Sequence, residues 1–307
     1  MITGAAGFVG SQVAREAARR GGELTLMSHR RSPPRPGEGA ARTVRADLAD
    51  PESLRGLCDG VDVLLHCASQ IGGAPEANQA VNARGTAALV AEARRAGVSR
   101  IVYLGTAAVY GRGTYRCARP EDLVRDPRSP TSRTRGEAED AVLTASGIVV
   151  RPHLVYGRGD DWVVPGLARL LRALSGTPTA WQTAHSVIAV SELAALIVEL
   201  SLVPYDTLST SVYHAAYPEP VTASALLQTV AAIMEQPPPP RDLGIVQARE
   251  LVAEQAGAAH ALDMLATDHW FDSTAIWADL GRAPARSWDA DLPRMKEWYP
   301  ASPDPVP

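Results

Sequence analysis

The sequence predicts an α/β fold, a doubly wound parallel sheet with a smaller C-terminal part. Two observations carry this. Through the first half, short apolar runs alternate with amphipathic Ala/Arg-rich segments, the pattern of repeated βαβ units. A loop of regularly spaced glycines stands where the first strand would hand over to the first helix. At 307 residues the chain is long enough to bury about three-quarters of its unfolded surface.

The elements follow in order. Leu24–Met27, Thr43–Val44, Val61–His66, Ile101–Leu104 and Ile148–Val150 read as strands, being short and apolar. Ser11–Arg20, Pro51–Leu57, Val81–Ala96 and Arg133–Ser146 read as helices between them. Arg20-Gly21-Gly22 and Ala96-Gly97-Val98 supply turns. After residue 151 the alternation loosens. Val164–Ser175, Ser191–Ser201, Ala223–Met234 and Gln247–Leu265 read as helices, and Val212–Ala216 as a strand. Pro237–Pro240 reads as a stiff surface connection, with a polyproline ligand as the alternative. The tail from Trp288 onward is expected to fray. No internal repeat is visible. The expected division places 1–152 with 184–216 in the sheet part, and 153–183 with 217–307 in the smaller part.

Composition excludes several functions. Hydrophobic residues make up 46% and charged residues 21%, ordinary for a globular protein and wrong for a disordered one. The net charge is -4, so there is no basic excess to hold nucleic acid or an anionic membrane. The three cysteines, Cys58, Cys67 and Cys117, form no CxxC pair, which argues against a disulfide framework and for a reducing compartment. No basic-then-apolar leader and no run of 18 apolar residues is present, so a cytoplasmic location is expected. Of the 30 basic residues only Lys296 is a lysine. A mechanism that needs a lysine in the first 290 residues is therefore excluded.

The glycine loop reads Thr3-Gly4-Ala5-Ala6-Gly7-Phe8-Val9-Gly10. Gly4 permits a tight turn, Gly7 lets the backbone approach a pyrophosphate, and Gly10 allows close helix packing. The helix N-terminus then offers N–H groups and partial positive charge to the phosphates, with Phe8 and Val9 in its first turn. This is the Rossmann arrangement for a dinucleotide. About 20 residues on, an NAD site carries an acid for the ribose hydroxyls. Here the segment is Ser28-His29-Arg30-Arg31. Arginine pairs with a 2′-phosphate where an acid would repel it. NADPH is therefore expected over NADH, held by Arg30 or Arg31 with Ser28.

Further motifs occur in a fixed order. They are Asp47-Leu48, His66-Cys67-Ala68-Ser69, Asn82 with Gly85-Thr86, Thr106-Ala107-Ala108-Val109-Tyr110-Gly111, and Arg151-Pro152-His153-Leu154-Val155-Tyr156-Gly157. With the glycine loop, this set resembles the extended short-chain dehydrogenase/reductases of the NAD-dependent epimerase/dehydratase type, from Thr3 to about residue 217. The resemblance implies that Asp47 and Leu48 meet the adenine. It implies that Cys67, Ala68 and Ser69 lie beside the nicotinamide ribose, with Asn82, Pro152 and Leu154 also near the cofactor. It implies a smaller C-terminal part that closes over the substrate. Family members carry several strand residues before Thr-Gly, whereas Met1 stands two positions earlier here; either the first strand is short or the start lies upstream.

The same resemblance exposes a departure. The family's reaction uses a Tyr-x-x-x-Lys pair to move a proton as hydride transfers. The matching segment here is Ser129-Pro130-Thr131-Ser132-Arg133-Thr134-Arg135, with Thr131 at the tyrosine position and Arg135 at the lysine position. Only the hydroxyl position of the triad is kept, as Thr106. A threonine is a poor general acid, and an arginine stays protonated. Arg135 can still hold the ribose. General acid–base help is worth about 10²–10⁴-fold, whereas positioning is worth roughly 7–11 kcal/mol. Hydride transfer therefore survives the loss if the substrate brings its own proton, as a ketone beside a phenol does.

The expectation is a ketoreductase for a ketone on an aromatic polyketide, with Thr106, Thr131 and Arg135 at the reaction centre. The alternatives are an inactive NADP(H)-binding sensor or scaffold, and a sugar-nucleotide epimerase or dehydratase. Substrate contacts are expected from Tyr110, Tyr115, His153, Trp162, Trp181 and Ser186, the tryptophans as walls for a flat ligand. His185 is a further cleft candidate. His260 and His269 show no metal-ligand spacing, so no metal is expected. The partner is expected to be a small molecule, and the protein a monomer or homodimer.

Overall fold

In the computed structural model, residues 1–37, 41–235 and 237–299 are described. Seven parallel strands form the main sheet, in the order Val212–Ala215, Ile148–Pro152, Arg100–Leu104, Val63–His66, Ile2–Thr3, Leu24–Ser28, Ala41–Arg45. From Ile2–Thr3 the chain first runs outward to one edge, then returns and builds toward the other. Ile2–Thr3 and Val63–His66, registered Ile2 to Leu65 and Thr3 to His66, flank this switch point. Ligands of such sheets sit in the crevice outside the strand carboxyl ends there.

Strand period decides which core each residue joins. Ile148 and Val150 enter one cluster with Val102 and Leu104. Val149 enters the other with Ile101 and Tyr103. The helix Phe8–Arg19 buries Gly10, Val13, Ala14 and Ala17, a stripe at helical spacing, against Val190–Leu200. Arg20 pairs with Glu16 and with Glu199 of that second helix.

Several expected elements take a different form. Val81–Ala96 opens as a π-helix, Gln79–Gly85, before the α-helix Thr86–Arg95. Pro51–Leu57 reduces to a single 3₁₀ turn, Pro51–Leu54. Gln247–Leu265 is two helices, Ile245–Val252 and Ala256–Leu265, because Gln255 leaves helical geometry between them. The proline run is more than a connection: Pro240–Arg241 pairs with Thr177–Pro178. The tail is seated. Trp288 is buried, starts the helix Trp288–Asp291 and meets the Tyr156 ring edge-on at 4.7 Å. Residues 300–307 lie outside the described residues.

A second sheet was not legible in the sequence. It orders Val221–Thr222, Ala184–His185, His269–Phe271 and Tyr115–Ala118. Its strands are two to four residues long, too short for a periodic pattern. One of them, Tyr115–Ala118, comes from the first half of the chain. A further short pair joins Leu154–Tyr156 to Val187–Ala189.

Candidate active site

The glycine loop is shaped by backbone contact. Gly4 has φ +68, and a Cβ there would lie 2.7 Å from the Ala68 nitrogen. A Cβ on Gly10 would lie 2.1 Å from the Gly4 oxygen, so helix and loop touch without side chains between them. The Gly7 N–H closes the turn onto the Gly4 carbonyl at 2.8 Å. Gly7 caps the helix Phe8–Arg19 with no side-chain hydrogen bond, which leaves its first-turn N–H groups to an anionic ligand. A tight glycine turn opening a helix with free N–H groups is the arrangement that receives a dinucleotide pyrophosphate.

Beneath it, the Thr3 hydroxyl meets His66 Nδ1 at 2.6 Å, and His66 Nε2 meets the Thr86 hydroxyl at 2.9 Å. Burial, with the Arg135 charge nearby, pushes His66 down to about 3, so the ring is neutral. The Ala68 N–H donates to Thr3 Oγ1 at 3.2 Å, which fixes the loop after Val63–His66. Burial pushes the Cys67 thiol beside it up to about 12 and leaves it unreactive.

Thr131 and Arg135 sit one turn apart on the helix Pro130–Thr144, held by the Ser129 capping box. The Thr131 hydroxyl donates to Asn78 Oδ1 at 2.8 Å and accepts from the Gly72 N–H at 3.1 Å. Arg135 Nη2 donates to the Leu104 and Gly105 carbonyls at 2.5 and 2.9 Å, while its buried Nε has no partner among the described residues. Asn82 clamps Gln70 from both sides: its Oδ1 accepts the Gln70 N–H at 2.7 Å and its Nδ2 donates to the Gln70 carbonyl at 2.9 Å. Asn82 Nδ2 also reaches Thr134 Oγ1 at 3.1 Å. Thr106 Oγ1 accepts the Ala108 N–H at 3.2 Å.

The remaining expected residues spread over several environments. Arg30 and Arg31 are exposed just past the strand Leu24–Ser28, and the Ser28 hydroxyl donates to the Val44 carbonyl at 3.4 Å. Asp47 Oδ2 lies 3.1 Å from His29 Nε2, and Leu48 is buried. Ser69 is half-buried, while Pro152, which ends the strand Ile148–Pro152, and Leu154, which begins the strand Leu154–Tyr156, are buried. Trp162 is 58% exposed. Trp181 is interior, its indole N–H donated to the Leu243 carbonyl at 2.7 Å. Ser186 is buried and tied to Phe271.

Tyr110 is also interior and belongs to a polar chain with a fixed direction. Arg151 Nη1 donates to the Tyr110 hydroxyl at 2.7 Å, which donates to His214 Nε2 at 2.6 Å. His214 Nδ1 faces the Asp272 carbonyl at 3.2 Å. Glu139 grips Arg151 from the other side, at 2.6 Å from Nη2 and 3.1 Å from Nε. The half-buried Tyr115 donates to the Tyr110 carbonyl at 2.8 Å.

Sequence reading missed Asn78, Glu139 and the gathering of His153, His185 and His269, whose ring nitrogens lie within 4.8 Å of one another. Asn78 belongs to no motif, and Glu139 lies in the acidic stretch after Arg135 with nothing local to mark Arg151 as its partner. The histidines are too far apart in sequence to show ligand spacing, and the expectation of no metal rested on spacing alone.

Comparison with known proteins decides the family. Residues 1–184 match the NAD dependent epimerase/dehydratase family. The chain belongs to this family. Its fold is of Rossmann type, and the family it belongs to is named for its dependence on NAD, a nicotinamide dinucleotide. The 2-alkyl-3-oxoalkanoate reductase of Stenotrophomonas maltophilia is 25% identical over 96% of this chain and 98% of that protein. A farnesyl-dihydroquinoline-oxide ketoreductase of Stigmatella aurantiaca is 30% identical over 56% of this chain and 54% of its own length. Among solved structures, MoeE5 with UDP-glucose and NAD superposes at a TM-score of 0.75, with 21% identity and 96% of each chain covered. UDP-glucose 4-epimerase of Thermotoga maritima gives 0.74 at 18% identity, again covering 96% of each chain. These structural likenesses establish the fold. No helix among the described residues is long and apolar enough to cross a membrane.

Proposed function

We propose that this protein is an NADPH-dependent ketoreductase that reduces an activated ketone on an aromatic polyketide of angucyclinone type. The observation that carries the reading is the state of the two positions where the family keeps its acid–base pair. The Thr131 proton is committed to Asn78, and Arg135 is committed to two backbone carbonyls. The tight glycine turn and the uncapped helix N-terminus that suit a dinucleotide are nonetheless kept. A site that holds a hydride donor but no proton donor suits a substrate that supplies the proton from a neighbouring phenol. When bound, NADPH supplies the hydride. Arg135 takes the position of the family lysine, and we assign it to hold the nicotinamide ribose as that resemblance implies. Ser28, Arg30 and Arg31 come at the end of the strand Leu24–Ser28 in place of the acid of an NAD site, which supports NADPH over NADH. Thr106, beyond its backbone contact, orients the carbonyl. Two reductases among the relatives agree with the reaction class. The product is released to solution, with the protein acting as a monomer or homodimer in the cytoplasm.

The test is NADPH oxidation with a panel of polycyclic quinone ketones, with NADH as control. Turnover is expected on phenol-flanked ketones, and Thr131→Ala is expected to keep it within about a thousandfold. A larger loss overturns the substrate-assisted step. Tight NADPH binding with no turnover on any ketone favours the sensor or scaffold. Turnover of a UDP-sugar with no ketone reduction favours an epimerase.

A further inference from the structure

His185 and His269 are direct partners in a parallel strand pair, so both side chains project from the same face of the small sheet. His153 lies over them from the turn between Pro152 and Leu154. Its ring stands 5.1 Å from His269 and 6.4 Å from His185, nearly parallel to both. One nitrogen from each ring lies within 4.8 Å of the other two.

Hydrogen bonds fix two of the tautomers. Thr183 Oγ1 donates its proton to the Leu265 carbonyl at 2.6 Å, so toward His185 Nε2, 3.2 Å away, it can only accept. His185 therefore carries its proton on Nε2 and a bare lone pair on Nδ1. That Nδ1 is buried and has no partner among the described residues. His269 Nδ1 faces the Thr267 carbonyl at 3.1 Å, which takes a proton and leaves a lone pair on Nε2. His153 Nε2 is likewise buried and unpartnered. Metal-binding histidines are held this way, the outer nitrogen donating to a carbonyl or hydroxyl. The carboxylate next to His269 in sequence is already engaged: Asp268 accepts the Ala184 N–H at 2.7 Å and Arg116 Nε at 2.6 Å.

We propose that His153, His185 and His269 bind a divalent d-block cation, zinc by preference, with a fourth position open to water or another ligand. Three neutral imidazoles with no carboxylate select a borderline ion over magnesium or calcium. Zn–N bonds of about 2.0–2.1 Å in a tetrahedron place the nitrogens about 3.4 Å apart, so modest ring rotations close the site. Burial favours the neutral, ligating form: it lowers all three rings, His153 most clearly with its two histidine neighbours contributing. The ion would clasp the turn at residue 153, next to the cofactor end of the main sheet, onto the small sheet.

The test uses the full chain without an affinity tag, stripped by chelator and titrated with Zn²⁺ and with Co²⁺. One equivalent of zinc per chain by elemental analysis is expected, with the intense visible bands of four-coordinate Co²⁺. His269→Ala changes the most accessible of the three and is expected to weaken zinc binding by more than about a hundredfold. Its circular dichroism and NADPH binding report whether it folds. Absence of stoichiometric zinc, or the weak bands of six-coordinate Co²⁺, overturns the site in the unmutated protein, whatever becomes of the variant. So does undiminished binding in a folded His269→Ala.

Discussion

At the scale of single residues, backbone contact and hydrogen-bond direction decide most of the site. Gly10→Ala would push a methyl group into the Gly4 carbonyl, 2.1 Å from its Cβ. We expect a loss of about 1–3 kcal/mol in urea unfolding and loss of nicotinamide dinucleotide binding by fluorescence titration. Thr131→Val keeps the shape but removes the shorter of two hydrogen bonds to the buried Asn78 Oδ1, which keeps the Asn82 Nδ2 donor at 3.3 Å, and takes the acceptor from the Gly72 N–H. The expected cost is about 0.5–1.5 kcal/mol by the same urea measurement. The glycines could be read from their spacing because each has a backbone reason to be glycine. Thr131 could be placed from the motif around it. Its bond to Asn78 could not, since the two are 53 residues apart.

At the scale of elements, the helix Pro130–Thr144 is the part that brings the site together. Ser129 caps it, and Ser132 answers in a capping box. Ser129→Ala is expected to cost about 0.5–2 kcal/mol in thermal or urea unfolding. The helix is fastened to the strand Ile148–Pro152 by the Glu139–Arg151 pair, 6% exposed at the arginine and 0% at the glutamate. Glu139→Ala leaves the Arg151 charge buried without its carboxylate. Such removals cost about 3–5 kcal/mol, measurable as a shift in the urea midpoint. The regular helices and central strands of the first half were legible because their apolar residues repeat. The small sheet was not, because strands of two to four residues carry no period.

At the scale of the whole molecule, buried neutral histidines set the acid side of stability. Burial lowers His66 and His185 to about 3 and His214 to about 4. In the unfolded chain each returns to about 6.5. Between these values the unfolded state binds more protons than the folded one, so unfolding free energy rises with pH. The full stability is present above about pH 6.5 and is lost progressively as the pH falls toward 3 to 4. Urea midpoints measured from pH 7 to pH 5 should fall. His66→Asn should flatten that fall in proportion to one proton. A slope unchanged by the variant would mean that His66 is not neutral in the fold.

The sequence alone determined the sheet class and the glycine loop, and it put Thr131 and Arg135 where the resemblance implies a tyrosine and a lysine. Each of these is written in local spacing, and local spacing is what backbone geometry reads. Tertiary structure decided what stands around them. It placed Thr131 against Asn78 and ran Arg151 through Tyr110 to His214. It also stacked His153 on His185 and His269 from three separate segments. Those meetings depend on how distant segments cross, and a one-dimensional pattern carries no signal for a crossing.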